Sequence, residues 1–362
     1  MKGFILKIVT FVLLLLFSIS LVSCSKEEEE KVIVADQTFE IHTELQRDYL
    51  AGDFKLISLF AKGKEELSKP LPVKLSWDNA NATNYKLYLS ESNDFNSYVV
   101  FETNINNLEI YNLKINTLYY WYVEYELNSE LVKSDTKTFV IDQTIPRNLN
   151  IDGVTNARDL GGYKLGVNKY VKQGMIYRTA RYNENETQDL LITDNGIKEM
   201  VEILKIKSEL DIRRTDNNEN GGLTSSPLGS GVNYYSLPMK SGGNILLLNK
   251  DMIKDVFAVL GNEANYPVVI HCSIGTDRTG LICFLINALL GVSEEDLYRD
   301  YLFSNFGNIG GSRSYSIIDT YIMNISSAQG DSLADRTYNY LLGIGVSKTD
   351  LDKVINIMTE KR

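Results

Sequence analysis

Tyr266-Pro267-Val268-Val269-Ile270-His271-Cys272-Ser273-Ile274-Gly275-Thr276-Asp277-Arg278-Thr279-Gly280 decides how this chain is read. Tyr266 to Ile270 has the composition of a short strand buried on both faces that stops at His271. From Arg278 to Leu290 the chain is almost continuously apolar, long enough for a helix buried on most sides, with Gly291 as its stop. The residues between must form a loop at the helix N-terminus, where unpaired N–H groups and the positive end of the helix dipole favour a bound oxyanion. A thiol and a guanidinium stand at the two ends of that loop.

A helix N-terminus also favours the thiolate, which is the nucleophilic form of cysteine. Cys272 is therefore the candidate nucleophile, and Ser273, Ile274, Gly275, Thr276, Asp277 and Arg278 the candidate phosphate cradle. Arg278 can fork two hydrogen bonds onto phosphate oxygens, contacts that strengthen as charge spreads in the transition state. Thr279 is expected to hydrogen-bond the sulfur and help it depart. Asp277 is the nearest carboxyl able to protonate the leaving oxygen; Asp211 and Asp216 stay open as alternative donors. His271 is expected to hydrogen-bond the loop backbone and hold the thiolate, rather than act as a base. Cys283 falls within the apolar helix and reads as a small core residue. With His42 and His271 the two histidines and no Cys/His cluster, no metal or other cofactor is expected.

The Cys-x5-Arg loop, Cys272 to Arg278, resembles that of the cysteine-based protein tyrosine phosphatases. Its fuller form, His271-Cys272-x-x-Gly275-x-Asp277-Arg278-Thr279-Gly280, resembles their branch of secreted bacterial tyrosine/serine phosphatases. Two further segments carry the same resemblance: Asn156-Ala157-Arg158-Asp159-Leu160-Gly161-Gly162-Tyr163, followed by Gly174-Met175-Ile176-Tyr177-Arg178, and Leu210-Asp211-Ile212-Arg213. Three motifs in order between Leu149 and the C-terminus are much harder to obtain by chance than one. The resemblance implies an α/β phosphatase domain, a central sheet flanked by helices, working through a phospho-cysteine intermediate. Cys272 would be the nucleophile, Arg278 the phosphate clamp and Asp277 an acid carried within the loop. Asp211 would end a neighbouring strand as a supporting or substrate-orienting carboxylate, and Arg158 with Asp159 would form an internal brace. Many members carry Lys just before the loop Asp; Thr276 here weakens the case for multiply phosphorylated lipids. Phosphotyrosine on a protein is the expected substrate. The alternatives are a dual-specificity or phosphoinositide phosphatase, or a surface adhesion lipoprotein whose phosphatase-like domain captures phosphorylated partners.

Lys2 and Lys7 accompany an apolar run from Phe11 to Phe17, and Leu21-Val22-Ser23-Cys24 resembles a bacterial lipobox. Residues 1–23 are thus expected to be a lipoprotein signal peptide, with Cys24 lipidated and tied to a membrane. Removing them takes two lysines and moves the net charge from −10 to −12, so acyl chains rather than surface charge would hold the protein to lipid. Ser25-Lys26-Glu27-Glu28-Glu29-Glu30 opens an acidic tether over residues 24–34 that resembles the export signal of surface lipoproteins in Bacteroidota. An extracytoplasmic, outer-membrane lipoprotein displayed at the cell surface is the resulting expectation. No basic stripe interrupts the acidic balance, which argues against nucleic acid as a partner. Cys272 and Cys283 alone offer no disulfide framework.

Residues 35–145 read differently from residues 146–362, the expected catalytic domain. Segments at 71–77, 84–89, 98–101, 108–111, 119–125 and 136–140 are short and β-rich, separated by polar turns, which argues for an antiparallel sandwich. The stretch is similar to a fibronectin type III domain, with Trp77 as core indole and Leu113-x5-Tyr119 as a tyrosine corner; residues 31–65 fit it poorly and are expected to add a strand or pack against the sandwich. Ile145-Pro146 marks the expected boundary. Beyond it, Thr193 or Asp194 is expected to cap a helix through Leu204, Ser208 to Ile212 to form an inner strand, and Ser293 to cap another helix. Residues 217–231, rich in Gly, Ser and Asn, are a candidate flap over the pocket.

Overall fold

The computed structural model describes residues 35–78, 82–182 and 191–362. The signal peptide, Cys24 and the acidic tether lie outside the described residues. No helix among the described residues is long and apolar enough to cross a membrane.

The N-terminal half contains β1 (Thr38–Phe39), α1 (Glu44–Ala51), β2 (Val73–Ser76), β3 (Thr83–Ser90), β4 (Val99–Thr103), β5 (Asn107–Ile110), β6 (Thr117–Leu127), β7 (Glu130–Lys133) and β8 (Lys137–Ile141). Tyr119, Trp121, Val123 and Tyr125 of β6 are all buried at every second position, the period that puts alternate side chains on one face. One sheet runs β1-β8-β6-β3-β4 with β7 paired to β6; β2 and β5 form a second. The two share a core that includes Leu75, Trp77, Tyr85, Leu87, Val123 and Phe139. Lys114 N–H donates to the Tyr119 hydroxyl at 2.8 Å, the back-bond that the Leu113-x5-Tyr119 spacing predicts.

Residues between β1 and β2 correct the expectation that all of 35–145 belongs to the sandwich. Thr43 and Gln46 form a capping box that starts α1. That helix and the 3-10 turn Phe54–Leu59 deliver Tyr49, Ile57 and Ala61 into the core of the C-terminal half. Tyr49 packs against Phe303 and Phe306, and Phe54 stacks on Tyr298 at 4.5 Å. Polar contacts fix the same seam: Arg299 donates to Gly52 O at 2.9 Å, and Gly63 N–H to Asn305 O at 2.7 Å. Apolar side chains on a helix must be covered, and here the α/β half covers them.

The C-terminal half contains, in order, β9 (Arg158–Asp159), β10 (Lys164–Gly166), β11 (Lys169–Val171), β12 (Ile176–Thr179), α2 (Asp194–Lys198), β13 (Ser208–Asp211), β14 (Asn233–Ser236), α3 (Ile245–Leu248), α4 (Lys250–Leu260), β15 (Val268–His271), α5 (Asp277–Leu290), α6 (Glu294–Phe303), α7 (Ser316–Ile325), α8 (Leu333–Gly343), α9 (Lys348–Met358) and β16 (Thr359–Lys361). Its main sheet has the order β14-β13-β15-β12-β9, parallel except for β9, so β15 is central. Val268 and Ile270 face the large core formed with α4 to α9, while Val269 faces a smaller one with Met200 and Leu204. Burial on both faces is what the continuous apolar run Val268-Val269-Ile270 requires. α5 is buried from Arg278 through Leu290 and stops at Gly291, whose φ of 91° is the left-handed cap expected of glycine. Thr193 caps α2 and Ser293 caps α6, as the sequence predicts.

Candidate active site

The loop between β15 and α5 has its carbonyls turned outward. Arg181 N–H takes Ser273 O at 3.3 Å, Asn156 Nδ2 takes Ile274 O at 2.9 Å, Arg178 Nη2 takes Gly275 O at 2.9 Å, and Gly280 N–H takes Thr276 O at 2.7 Å. Among the described residues, none of the backbone N–H groups of Ser273 to Arg278 donates a hydrogen bond within the protein. Six donors are therefore left without an internal acceptor at the N-terminus of a fourteen-residue helix, a ready-made anion seat. Gly275 permits this turn: its φ is +68°, and a Cβ there would meet Thr179 O at 2.3 Å. Cys272, 1% exposed, sits at the end of β15 at the entrance to the loop.

A buried ionic frame stands behind the loop. Asp300 of α6 accepts from Arg158 Nε at 2.9 Å and from Arg178 Nη1 at 2.5 Å, so the guanidinium that grips Gly275 O is itself gripped. Arg158 also donates to Asn156 Oδ1 at 2.6 Å, and Asn156 in turn holds Ile274 O. Arg147 bonds Asp159 at 2.7 Å and reaches Leu113 O at 2.9 Å, linking this frame to the β-sheet half. Arg158 and Asp159 are thus an internal brace, in line with the sequence reading.

The front of the loop carries a carboxylate that the sequence did not single out. Glu219, from the segment expected to be a flap, accepts a fork from Arg278, with Nη1 to Oε2 at 2.8 Å and Nη2 to Oε1, and also takes the Ser273 hydroxyl. Arg214 N–H adds a further contact at 3.0 Å. Burial alone would raise the Glu219 carboxyl, but Arg278 and Ser273 outweigh it and hold it down at about 2. An anion thus already occupies the guanidinium expected to clamp phosphate.

Several predicted roles change at close range. Asp211 ends β13 in register with His271, but it is buried in a fork from Arg213 and accepts from the Tyr234 hydroxyl at 2.9 Å. Burial pushes its carboxyl up; His271 and the Arg213 fork outweigh that and hold it at about 2. It supports the sheet end, with both oxygens engaged by Arg213 and one also by Tyr234. His271 reaches the loop backbone as expected, but over a long contact, Nδ1 to Cys272 O at 3.4 Å; its shorter contact is Nε2 to Glu209 Oε1 at 2.8 Å, and Glu209 also takes the Ser226 hydroxyl. Thr279 Oγ1 is buried and makes no hydrogen bond, to sulfur or otherwise, among the described residues. Asp277 accepts from Arg313 Nε at 2.8 Å, Arg313 Nη2 at 3.1 Å and the Tyr301 hydroxyl at 3.2 Å, so both its oxygens are engaged. Asp216 is exposed and paired with Arg214. Burial pushes the Cys283 thiol up to about 11, which leaves it a core residue. Ligand atoms of Glu209, Asp211 and His271 lie within 4.8 Å of one another, but they are already bonded to each other or to Arg213, Tyr234 and Ser226.

Residues 149–359, more than half of the chain, match the model of the tyrosine phosphatase family. The chain belongs to this family. A Cupriavidus necator protein assigned by name to the tyrosine-protein phosphatases is 25% identical over 186 residues, covering 44% of this chain and 64% of that relative. The chain therefore spans less than two thirds of that relative's length. Among solved structures, Pseudomonas aeruginosa TpbA is 19% identical with a TM-score of 0.30, covering 48% of this chain and 92% of TpbA. The core catalytic domain of the Saccharomyces cerevisiae PP-IP phosphatase Siw14, solved with citrate, is 22% identical with a TM-score of 0.29, covering 42% of this chain and 86% of that one. Neither adds to the geometry above.

In this member of the tyrosine phosphatase family the sequence located the loop and its rear brace. It missed Glu209, Glu219, Asp300 and Arg313. Asp300 lies in α6 between apolar Leu297 and Tyr301, so its burial was readable from helical period, but its two arginine partners were not.

Proposed function

We propose that this chain is a lipid-anchored protein tyrosine phosphatase that hydrolyses phosphomonoesters through a phospho-cysteine intermediate. The six backbone N–H groups of Ser273 to Arg278, without an internal acceptor among the described residues, are the observation that carries this reading. A phosphate seated on those donors, with Arg278 released from Glu219, would meet the Cys272 sulfur in line with the ester oxygen. Sulfur then bonds phosphorus as the P–O bond breaks, and the departing oxygen takes a proton. Water next attacks the phospho-cysteine, returning the thiolate and releasing inorganic phosphate. Asp277 is the proposed proton donor, which requires Arg313 to move aside. Asp211 and Glu219, each held at about 2, do not carry a proton near neutrality.

The chemistry needs no metal or other cofactor, and phosphotyrosine on a protein is the proposed substrate. The lipobox at Cys24 supports attachment to the outer membrane, with display at the cell surface. A fibronectin type III-like identity for residues 73–141 is supported by Trp77 in the core and by the Tyr119 back-bond. The test is hydrolysis of phosphotyrosine peptides, phosphoserine peptides and phosphoinositides by wild type and Cys272→Ser. Turnover on phosphotyrosine peptides that disappears in the variant is expected, with a phosphorylated Cys272 peptide in quenched wild type. Undiminished hydrolysis by Cys272→Ser sinks the mechanism, and no turnover on any substrate favours a capture module.

A further inference from the structure

Arginines pack around the phosphate loop, and nearly all have a carboxylate. Arg147 pairs with Asp159, Arg158 and Arg178 with Asp300, Arg213 with Asp211, Arg278 with Glu219, and Arg313 with Asp277. Arg181 is different. It is 7% exposed, its Nε meets no acceptor, and among the described residues its guanidinium makes no ion pair. Its backbone is nonetheless fixed at the loop, because its own N–H holds Ser273 O, the carbonyl next to the nucleophile. From there Cys272 and Glu219 are the negative groups that bear on its charge, while burial and Arg213 act against that charge. Glu219 is the carboxylate already seated on Arg278 and Ser273, so an anion bound in that seat lies within the field of Arg181.

A guanidinium taken out of water without a counter-charge is strongly destabilising, and the fold supplies a counter-charge to its neighbours. Among the described residues that partner is missing, and an anion arriving from outside would supply it. We propose that Arg181 is a second phosphate-binding arginine, whose planar fork closes on a non-bridging oxygen of the phosphomonoester held by the loop and Arg278. This rests on the phosphatase reading above. It assigns to Arg181 a role distinct from the rear brace formed by Arg178, three residues earlier in the chain, which holds a loop carbonyl and pairs with Asp300.

The test uses inorganic phosphate as the probe, titrated calorimetrically into Cys272→Ser, which binds without turnover, and into the same protein carrying Arg181→Gln or Arg181→Lys. A charge-assisted hydrogen bond to phosphate predicts about tenfold or greater weakening for Gln, with partial recovery for Lys, which keeps the charge and loses the fork. Thermal unfolding separates this from a structural role: removing an unpaired buried charge leaves stability equal or higher, whereas removing a structural contact lowers it. Unchanged phosphate affinity in the Gln and Lys variants overturns the role of Arg181 and leaves the phosphatase reading standing. Failure of Cys272→Ser itself to bind phosphate, with Arg181 intact, takes down both.

Discussion

The rear and the front of the phosphate loop are made of the same residue types and behave as different materials. Behind it, Arg158, Arg178 and Asp300 are fully buried and fastened to one another and to loop carbonyls. In front, Arg278 is paired with a half-buried glutamate from an irregular segment, Asp277 and Arg313 are part-exposed, and Arg181 has no ion pair among the described residues. Ion pairs walled off from water fix a shape, whereas ion pairs at an opening can exchange one anion for another. The rear positions the donors; the front is where a ligand's charge can be accommodated.

That contrast can be broken by experiment. Asp300→Ala leaves two buried guanidiniums without a counter-charge and is expected to lower stability by about 3–5 kcal/mol in urea unfolding, with activity lost alongside. Arg313→Ala, at the part-exposed front, should cost at most about 1 kcal/mol by the same measurement. Equal losses would erase the distinction between the two sides. Next in size, Asp277→Asn should slow hydrolysis of an alkyl phosphate by about 10²–10⁴-fold while an activated aryl phosphate suffers far less, because a good leaving group needs little help from an acid. If both substrates slow alike, the acid lies elsewhere.

The smallest effect concerns pH. The Asp211 carboxyl is held at about 2 against an ordinary value of 3.8. A depressed carboxyl stabilises the fold above its unfolded value and loses that contribution as pH falls toward the folded one. Wild type should therefore lose on the order of 2 kcal/mol more than Asp211→Asn between about pH 5 and pH 2, read from thermal unfolding across that window. Parallel curves for the two proteins would show that the Arg213 fork contributes nothing.

What the sequence disclosed follows from the range of the forces involved. The strand, loop and helix around Cys272 were legible because one contiguous apolar run, interrupted by Gly275 and ended by Gly291, encodes all three. Glu219 and Arg313 were not, because each reaches the loop across tens of residues, and nothing in spacing says which of many acidic and basic side chains will meet. β7 was missed for a local reason: Asn128 and Ser129, with φ of 53° and 68°, make a two-residue reversal with no glycine to announce it. α1 falls in residues 31–65, which the sandwich pattern explains poorly, and its Thr43-x-x-Gln46 capping-box signal went unread.

The route of the chain between β1 and β2 has its own consequence. It leaves one layered unit, lends Tyr49, Ile57 and Ala61 to the other, and returns. Neither half can melt without uncovering the other's interior, so heat should disrupt residues 35–362 in a single cooperative step. A fragment cut at residue 149 to isolate the enzyme would expose a greasy scar where this borrowed helix belongs.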